Sequence, residues 1–154
     1  MSNLKISIAA KVPTFKKGTA FVIGVKETSK GLQLTKSHTD ISSLAKHDLD
    51  QLGASSSLES VTRVAAPNGA IFAIVGLGSE KSAKDKLNAD QLRAIGGAIA
   101  RSMKNVVEIV IDLGALSRPL SIALIEGLQL GNYEYNGLKS KVNIKPILLS
   151  KVTI

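Results

Sequence analysis

The sequence has no cysteine and no tryptophan, and aromatic residues make up only 3% of it. Without cysteine, disulfides, thiolate nucleophiles and cysteine-ligated zinc or iron–sulfur centres are excluded. With so few aromatic rings, the core must be built from Ile, Leu, Val and Ala. This composition is typical of a sheet covered by helices rather than of a tyrosine-rich binding surface.

Long apolar runs are also missing, since no apolar run approaches the roughly 18 residues of a membrane-spanning helix. Near the N-terminus, Lys5 and Lys11 flank only five uncharged residues, too few for the core of a signal peptide. We therefore expect a cytoplasmic protein that does not contact membranes. The 154 residues fit one domain, which is large enough to bury a core of its own.

Positive charge is in excess, with a formal net charge of +8. Seven lysines stand against Glu27 alone in residues 1–36: Lys5, Lys11, Lys16, Lys17, Lys26, Lys30 and Lys36. Two interpretations stay open, solvated lysines that keep the protein in solution and a docking face for phosphate backbones. Base readout is poorly supported, because few of the basic residues are arginine and no aromatic ladder accompanies them.

Hydrophobic periodicity predicts the order β-β-α-β-β-α-β-α-β, a three-layer α/β fold with a mixed β-sheet flanked by helices. The predicted strands are 4–10, 19–27, two strands within 61–78 joined at Pro67-Asn68-Gly69, 106–114 and one or two within 141–154. Residues 28–38 are predicted as loop or a short edge strand at 32–34. The predicted helices are 39–57 with Gly53 as C-cap, 87–105, and one that begins at a Ser117 cap and runs to Gly131.

Two of these helices carry further expectations. In helix 87–105, Asn88 and Gln91 have capping-box spacing, and the interior glycines are expected to let the helix approach the sheet closely. Helix 119–130 is apolar almost all round, so one sheet cannot cover it. We expect Ile122 and Ile125 to contribute to a contact with another domain or subunit.

The strand-to-glycine stretch "IFAIVGLGSEK" (71–81) is the first candidate site, because glycine turns of this kind can hold phosphates. The dinucleotide fingerprint needs glycine at position 81, which is Lys81, and no P-loop motif occurs. The next helix also begins about ten residues later, so its N-terminal amides are not above the turn. The pattern favours a strand exit that needs small residues.

Other chemistry-bearing residues lack the required spacing. The two histidines, His38 and His47, lie near three aspartates (Asp40, Asp48 and Asp50) but form no metal-binding motif. The serine run 55–57 has no nucleophile elbow, and nothing fixes Asp112 relative to Glu126. We therefore expect no catalytic, cofactor-binding or metal-binding residue in this chain.

Four segments in a fixed order nevertheless resemble a known family: "AIVGLGSEK", "LNADQLRAIGGAIARSMK", "VVEIVIDLG" and "IALIEGLQLGNYEYNGLKSK". They resemble the N-terminal domain of the cytosol (leucyl) aminopeptidase family. The closing motif consists of Glu126-Gly127, Leu130-Gly131, Tyr133, Tyr135, Asn136, Lys139 and Ser140. Leu138 departs from it, because the family usually has an aromatic residue there.

The resemblance implies a macro-domain-like fold and a non-catalytic role. Family members are cytoplasmic two-domain metallo-aminopeptidases, hydrolases that release N-terminal residues, often leucine, from peptides and assemble as homohexamers. Their two divalent ions (zinc, manganese or magnesium) lie in the C-terminal domain, in motifs such as N-T-D-A-E-G-R that this sequence lacks. Residues 1–154 would then be a single N-terminal accessory domain with a scaffold role, and its catalytic C-terminal domain would lie outside this chain.

Two alternatives remain. Some bacterial family members bind DNA, so the lysine-rich N-terminal third could make this a nucleic-acid-binding domain. The macro-like fold alternatively suggests a module that binds a nucleotide such as ADP-ribose, although no ADP-ribose site can be read from the sequence.

Overall fold

A computed structural model describes residues 14–35, 40–44, 47–79, 86–103, 106, 108–113, 116–138 and 148–153. The predicted strand 4–10 lies outside the described residues, as does 141–147 of the last predicted segment. The strands are β1 (Thr19–Thr28), β2 (Gly31–Leu34), β3 (Val61–Ala65), β4 (Ile71–Ser79), β5 (Glu108–Asp112) and β6 (Leu148–Thr153). The helices are α1 (Ala89–Ser102) and α2 (Arg118–Leu138), and a 3₁₀ turn spans Pro67–Gly69. In the described part of the chain, neither helix is both long and apolar enough to cross a membrane.

The strands form one mixed sheet in the order β3-β4-β1-β5-β6. β4, β1, β5 and β6 run parallel, and β3 is antiparallel to β4. β2 is antiparallel to the last residues of β1, Val25–Thr28, which also pair with β4 on their other side. β2 therefore lies on the β5 side of β1, beyond the carboxyl end of β5. The predicted α/β class with a mixed sheet is confirmed, and β1 is central as expected.

Alternation along β1 divides the core between the two faces of the sheet. Ala20 and Val22 belong to a cluster with the buried side chains of α1 and α2, whereas Phe21 and Ile23 belong to a second cluster on the opposite face. That second face is covered by the segment 41–54, which contributes the buried Leu44 and Ala54. The sheet is therefore the middle of three layers, as predicted.

The helix predicted over residues 39–57 is wrong for the described part of that segment, which forms successive turns. Aspartate side chains compete with the helix here: the Ser42 amide donates to Asp40 Oδ1 (3.0 Å) and the Asp50 amide to Asp48 Oδ1 (2.9 Å). Gly53, predicted as the C-cap of this helix, has φ +81° and closes a Schellman-type turn that ends no helix.

The connection between β3 and β4 agrees with the sequence prediction. The 3₁₀ turn Pro67–Gly69 joins the two antiparallel strands, and both Asn68 (φ 57°) and Gly69 (φ 79°) have positive φ. Asparagine and glycine are the residues that tolerate this conformation, so the turn is encoded locally.

The start of α1 and the end of α2 differ in how well the sequence predicted them. The capping box is present: the Gln91 amide donates to Asn88 Oδ1 (2.9 Å), and the Asn88 amide donates to Gln91 Oε1 (3.0 Å). α2 continues past Gly131 to Leu138, so the predicted end was wrong. Gly131 instead meets α1, because a Cβ there would lie 2.7 Å from the Gly97 carbonyl oxygen.

Candidate functional site: the outer strip of the glycine-packed helix pair

The two helices touch through their backbones at facing glycines. A Cβ on Gly96 of α1 would collide with the Leu124 carbonyl oxygen, and one on Gly127 of α2 would collide with the Arg93 carbonyl oxygen. The expectation that the α1 glycines face the sheet is therefore wrong. Leu92 and Ile95 occupy the sheet-facing side instead, and the glycines face α2.

This packing leaves one strip of α2, here called the outer strip (Ile122, Glu126 and Leu130), on the surface. The three residues lie at i, i+4 and i+8, so they share one helix face. Ile122 is 46% exposed and Leu130 is 58% exposed, whereas Ile125 is half-buried and packs against the core between sheet and helices. Of the two isoleucines predicted to make an external contact, the structure places Ile122 at the surface and turns Ile125 inward.

An ion-pair network holds the centre of the outer strip. Arg93 Nε donates to Glu126 Oε2 at 2.7 Å, and Arg93 Nη1 donates to Asp90 Oδ1 at 2.8 Å. The Glu126 carboxylate raises the pKa of Arg93, with a smaller contribution from Asp90. This cross-helix pair was not predicted from the sequence. The only signal is that Glu126 directly precedes Gly127 and that Arg93 lies three residues before Gly96.

The two glycines of the stretch 71–81, Gly76 and Gly78, lie in the last residues of β4 and are packed by the chain's own backbone. The Gly76 amide donates to the Ser60 carbonyl (3.0 Å), and the Gly78 amide donates to the Ser56 carbonyl (2.8 Å). A Cβ on Gly76 would collide with the Ser57 carbonyl oxygen. Both glycine amides are thus already hydrogen-bonded. This geometry agrees with the interpretation of the turn as a tight strand exit.

The carboxyl end of β1 is the place where open α/β sheets bind ligands. Here a Cβ on Gly24 would collide with Leu77 Cδ1 and lie 2.9 Å from Thr35 Oγ1. The Leu77 and Thr35 side chains therefore fill the space beside Gly24, close to this end of the strand.

The carboxylates named in the sequence lie in different settings. Asp112 is buried in β5 opposite Ile23 of β1, whereas Glu126 is at the surface and bonded to Arg93. Asp48 and Asp50 are exposed in the segment that covers the far face of the sheet, and so is His47, while His38 lies outside the described residues. Within the described ranges, no group of three or more His, Asp or Glu side chains could hold a metal ion.

The serine run and one lysine of the basic N-terminal third make local contacts. Ser55 Oγ accepts a hydrogen bond from the Ser57 amide (3.1 Å), which is local turn chemistry. Of the lysine-rich third, Lys16 forms an ion pair with Glu108 at 3.2 Å. Lys5, Lys11 and Lys36 lie outside the described residues.

Comparisons with known proteins agree on one family. The family model described as "Cytosol aminopeptidase family, N-terminal domain" matches residues 22–142. The probable cytosol aminopeptidase of Rhodococcus jostii is 35% identical over 138 residues, which cover 81% of this chain and 25% of the relative. That of Corynebacterium diphtheriae is 36% identical over 103 residues, 66% of this chain and 19% of the relative. The chain thus spans about a quarter or less of the length of these relatives.

A solved structure supports the same fold. The bottromycin maturation enzyme BotP superposes with a TM-score of 0.57 at 18% identity, covering 88% of this chain and 27% of that one. Such low identity establishes the fold alone. Because the family model covers most of the chain, the chain belongs to the cytosol aminopeptidase family and corresponds to its N-terminal domain.

Proposed function

We propose that residues 1–154 are the non-catalytic N-terminal domain of a two-domain metallo-aminopeptidase. The parent enzyme would be a cytoplasmic hydrolase that releases N-terminal residues, leucine in particular, from peptides. The observation that carries this proposal is the match of residues 22–142 to the family's N-terminal domain. The length of the relatives supports it, since a quarter of the Rhodococcus jostii protein aligns with this chain.

In this proposal, the two divalent ions, zinc or manganese, belong to the C-terminal domain. Two-metal hydrolysis needs carboxylates that bridge the ions. The described carboxylates do not fit that need, because Asp112 is buried in the sheet and Glu126 is engaged by Arg93. We derive no catalytic step from this chain, and peptide substrates would bind elsewhere in the enzyme.

The role of the domain would then be structural. The outer strip exposes two large apolar side chains, Ile122 and Leu130, on one helix face. Exposed apolar side chains that share one face are typical of contact surfaces. We propose that the outer strip packs against the catalytic domain or against a neighbouring subunit of a homohexamer.

Hydrolysis of leucine p-nitroanilide with added manganese tests this proposal. The 154-residue chain alone is expected to give no turnover above a manganese-only blank. A polypeptide in which the chain precedes the family's catalytic domain is expected to turn over the substrate and to lose activity with a chelator. Chelator-sensitive turnover by the chain alone would refute the non-catalytic role.

A further inference from the structure

A cleft of about 450 Å³ runs along β2. It contacts three consecutive residues of that strand, Leu32, Gln33 and Leu34. The cleft lies on the face of the sheet to which Leu32, Leu34 and Leu44 belong. Among the described strands, β2 pairs with β1 alone, so its other edge faces away from β1. Apart from the short "LQL" pattern at 32–34, no sequence feature indicates this cleft.

The hydrogen-bond phase of β2 determines which of its main-chain groups face this edge. The Thr35 amide donates to the Gly24 carbonyl at 2.9 Å, so this is a hydrogen-bonded pair. Hydrogen-bonded and non-bonded pairs alternate in antiparallel strands. With Val25 opposite Leu34 and Glu27 opposite Leu32, both leucines are at non-bonded positions. Their amide and carbonyl groups therefore point away from β1.

The floor of the cleft is apolar. Leu32 and Leu34 line it from the strand, and Ile41 and Leu49 line it from the covering segment. All four side chains are only half-buried and pack at the margin of the core on that face of the sheet. An occupant with apolar side chains would remove this surface from water.

The rim of the cleft carries two carboxylates beside His47. Asp48 and Asp50 line it and are exposed. The Asp50 amide donates to Asp48 Oδ1 at 2.9 Å, which fixes the Asp48 carboxylate beside the cleft. Two carboxylates next to an apolar floor favour an occupant that also carries positive charge.

We propose that the β2 edge binds an extended peptide segment of another protein. The segment adds a strand to β2, places apolar side chains over Leu32 and Leu34, and brings a lysine or arginine to Asp48 and Asp50. This is strand addition to a sheet edge, with main-chain bonds supplying affinity and the cleft supplying selectivity. The site goes beyond the proposed aminopeptidase role and does not depend on it.

Fluorescence anisotropy with a fluorescein-labelled, N-acetylated peptide of alternating lysine and valine tests this proposal. Saturable binding is expected. Two N-methylated versions of the peptide distinguish main-chain pairing from non-specific binding. One is methylated at the amide of every valine and the other at the amide of every lysine. In a strand paired along one edge, every second amide donates to the neighbouring strand and the others point away from it. Only the version whose donating amides are methylated should therefore lose affinity, by about tenfold. Equal affinity of the two versions, or no saturable binding, would overturn the proposal.

Charge-removing variants test the acidic rim. The double variant Asp48→Asn with Asp50→Asn should bind the unmethylated peptide several-fold more weakly and with less dependence on salt. Asp90→Asn is the matched control, because it removes a carboxylate from α1 on the other face of the sheet, and it should leave affinity unchanged. Equal weakening in the control would contradict the proposal. The proposal would also be contradicted if sedimentation showed that the chain dimerises through β2 and that the peptide does not displace the second copy.

Discussion

Gly127 of α2 lies so close to Arg93 of α1 that a Cβ at Gly127 would collide with the Arg93 carbonyl oxygen. The same approach brings Arg93 Nε within 2.7 Å of Glu126 Oε2, immediately before that glycine. One backbone contact therefore determines both the packing of the helix pair and the charge arrangement at the centre of the outer strip.

Replacing Gly127 by alanine should destabilise the protein. The added methyl group meets backbone, which cannot move aside as a side chain can, so the helices must separate. Overpacking of this kind costs about 1–3 kcal/mol in the free energy of unfolding. Urea denaturation followed by circular dichroism measures it.

Gly97→Ala is the matched control in α1. The three atoms nearest to its Cβ would all belong to the Arg101 side chain, with Nη1 at 2.9 Å, and that flexible side chain can move. This variant should be neutral or should gain up to about 1 kcal/mol from helix propensity. If Gly97→Ala costs as much as Gly127→Ala, glycine in these helices has a role other than close packing.

The two isoleucines of α2 should respond differently to replacement by serine. Ile122→Ser changes a side chain that is 46% exposed, so the free energy of unfolding should shift by less than about 0.5 kcal/mol. Ile125→Ser removes a half-buried side chain from the core and should cost about 1 kcal/mol or more. Thermal and urea denaturation of both variants measure the contrast.

The Ile122→Ser variant also tests the proposed role of the outer strip. In the two-domain enzyme, this variant should weaken the packing between domains or between subunits. Analytical ultracentrifugation should detect the loss of subunit assembly, and the rate at which the two domains separate should rise if the contact is between domains. Gln51→Ser is a suitable control, because it changes an exposed residue in the segment on the other face of the sheet. Wild-type assembly of Ile122→Ser together with Leu130→Ser would exclude the outer strip as a contact.

Asp40 should titrate below the ordinary aspartate value. The Ser42 amide donates to Asp40 Oδ1 (3.0 Å), and this bond, with a smaller contribution from the Ser42 side chain, lowers the pKa of Asp40. A depressed folded pKa contributes stability above the unfolded value of about 3.8, and this contribution is lost as the pH falls through the folded value.

Carboxyl-carbon NMR titration measures this shift directly. Ser42→Ala keeps the backbone bond and removes the hydroxyl, so the pKa of Asp40 should rise slightly towards its ordinary value while staying below it. Ser43→Ala, one residue further on, should leave the titration unchanged. A midpoint at or above the ordinary value in the wild-type chain would show that the turn does not form in solution.

Local signals predicted much of this fold because their physics is local. The Pro67–Gly69 turn depends on residues that tolerate positive φ, and the start of α1 depends on the reciprocal bonds of Asn88 and Gln91. The family resemblance was carried by the same kind of feature, ordered glycines and polar residues between apolar segments, and the family match confirms it.

The errors came where tertiary contacts or side-chain competition decide. Residues 40–53 have near-helical apolar spacing, but Asp40 and Asp48 bond neighbouring amides and divert the backbone into turns. Gly131 has the sequence signature of a helix end, but it lies inside α2. Glycine is needed there because a Cβ at Gly131 would come too close to the Gly97 backbone. The sequence of a helix that is apolar on all sides likewise does not indicate which face is exposed. Here the face with Ile122 is exposed and the face with Ile125 packs against the core.

Glu59 is a non-glycine residue in the left-handed region of backbone conformation, with φ +69°. This left-handed conformation costs about 1–2 kcal/mol for a residue with a Cβ. Its carboxylate lies 3.9 Å from Arg101 Nη2 with both side chains about half exposed, and such surface pairs contribute little. Glu59→Gly should therefore raise the free energy of unfolding by about 0.5–1 kcal/mol, even after the greater chain entropy of glycine. Glu59→Ala keeps the Cβ and loses the ion pair, so it should bring no gain in urea denaturation. If Glu59→Gly and Glu59→Ala lower the free energy of unfolding by the same amount, the ion pair with Arg101 contributes more than the backbone strain costs.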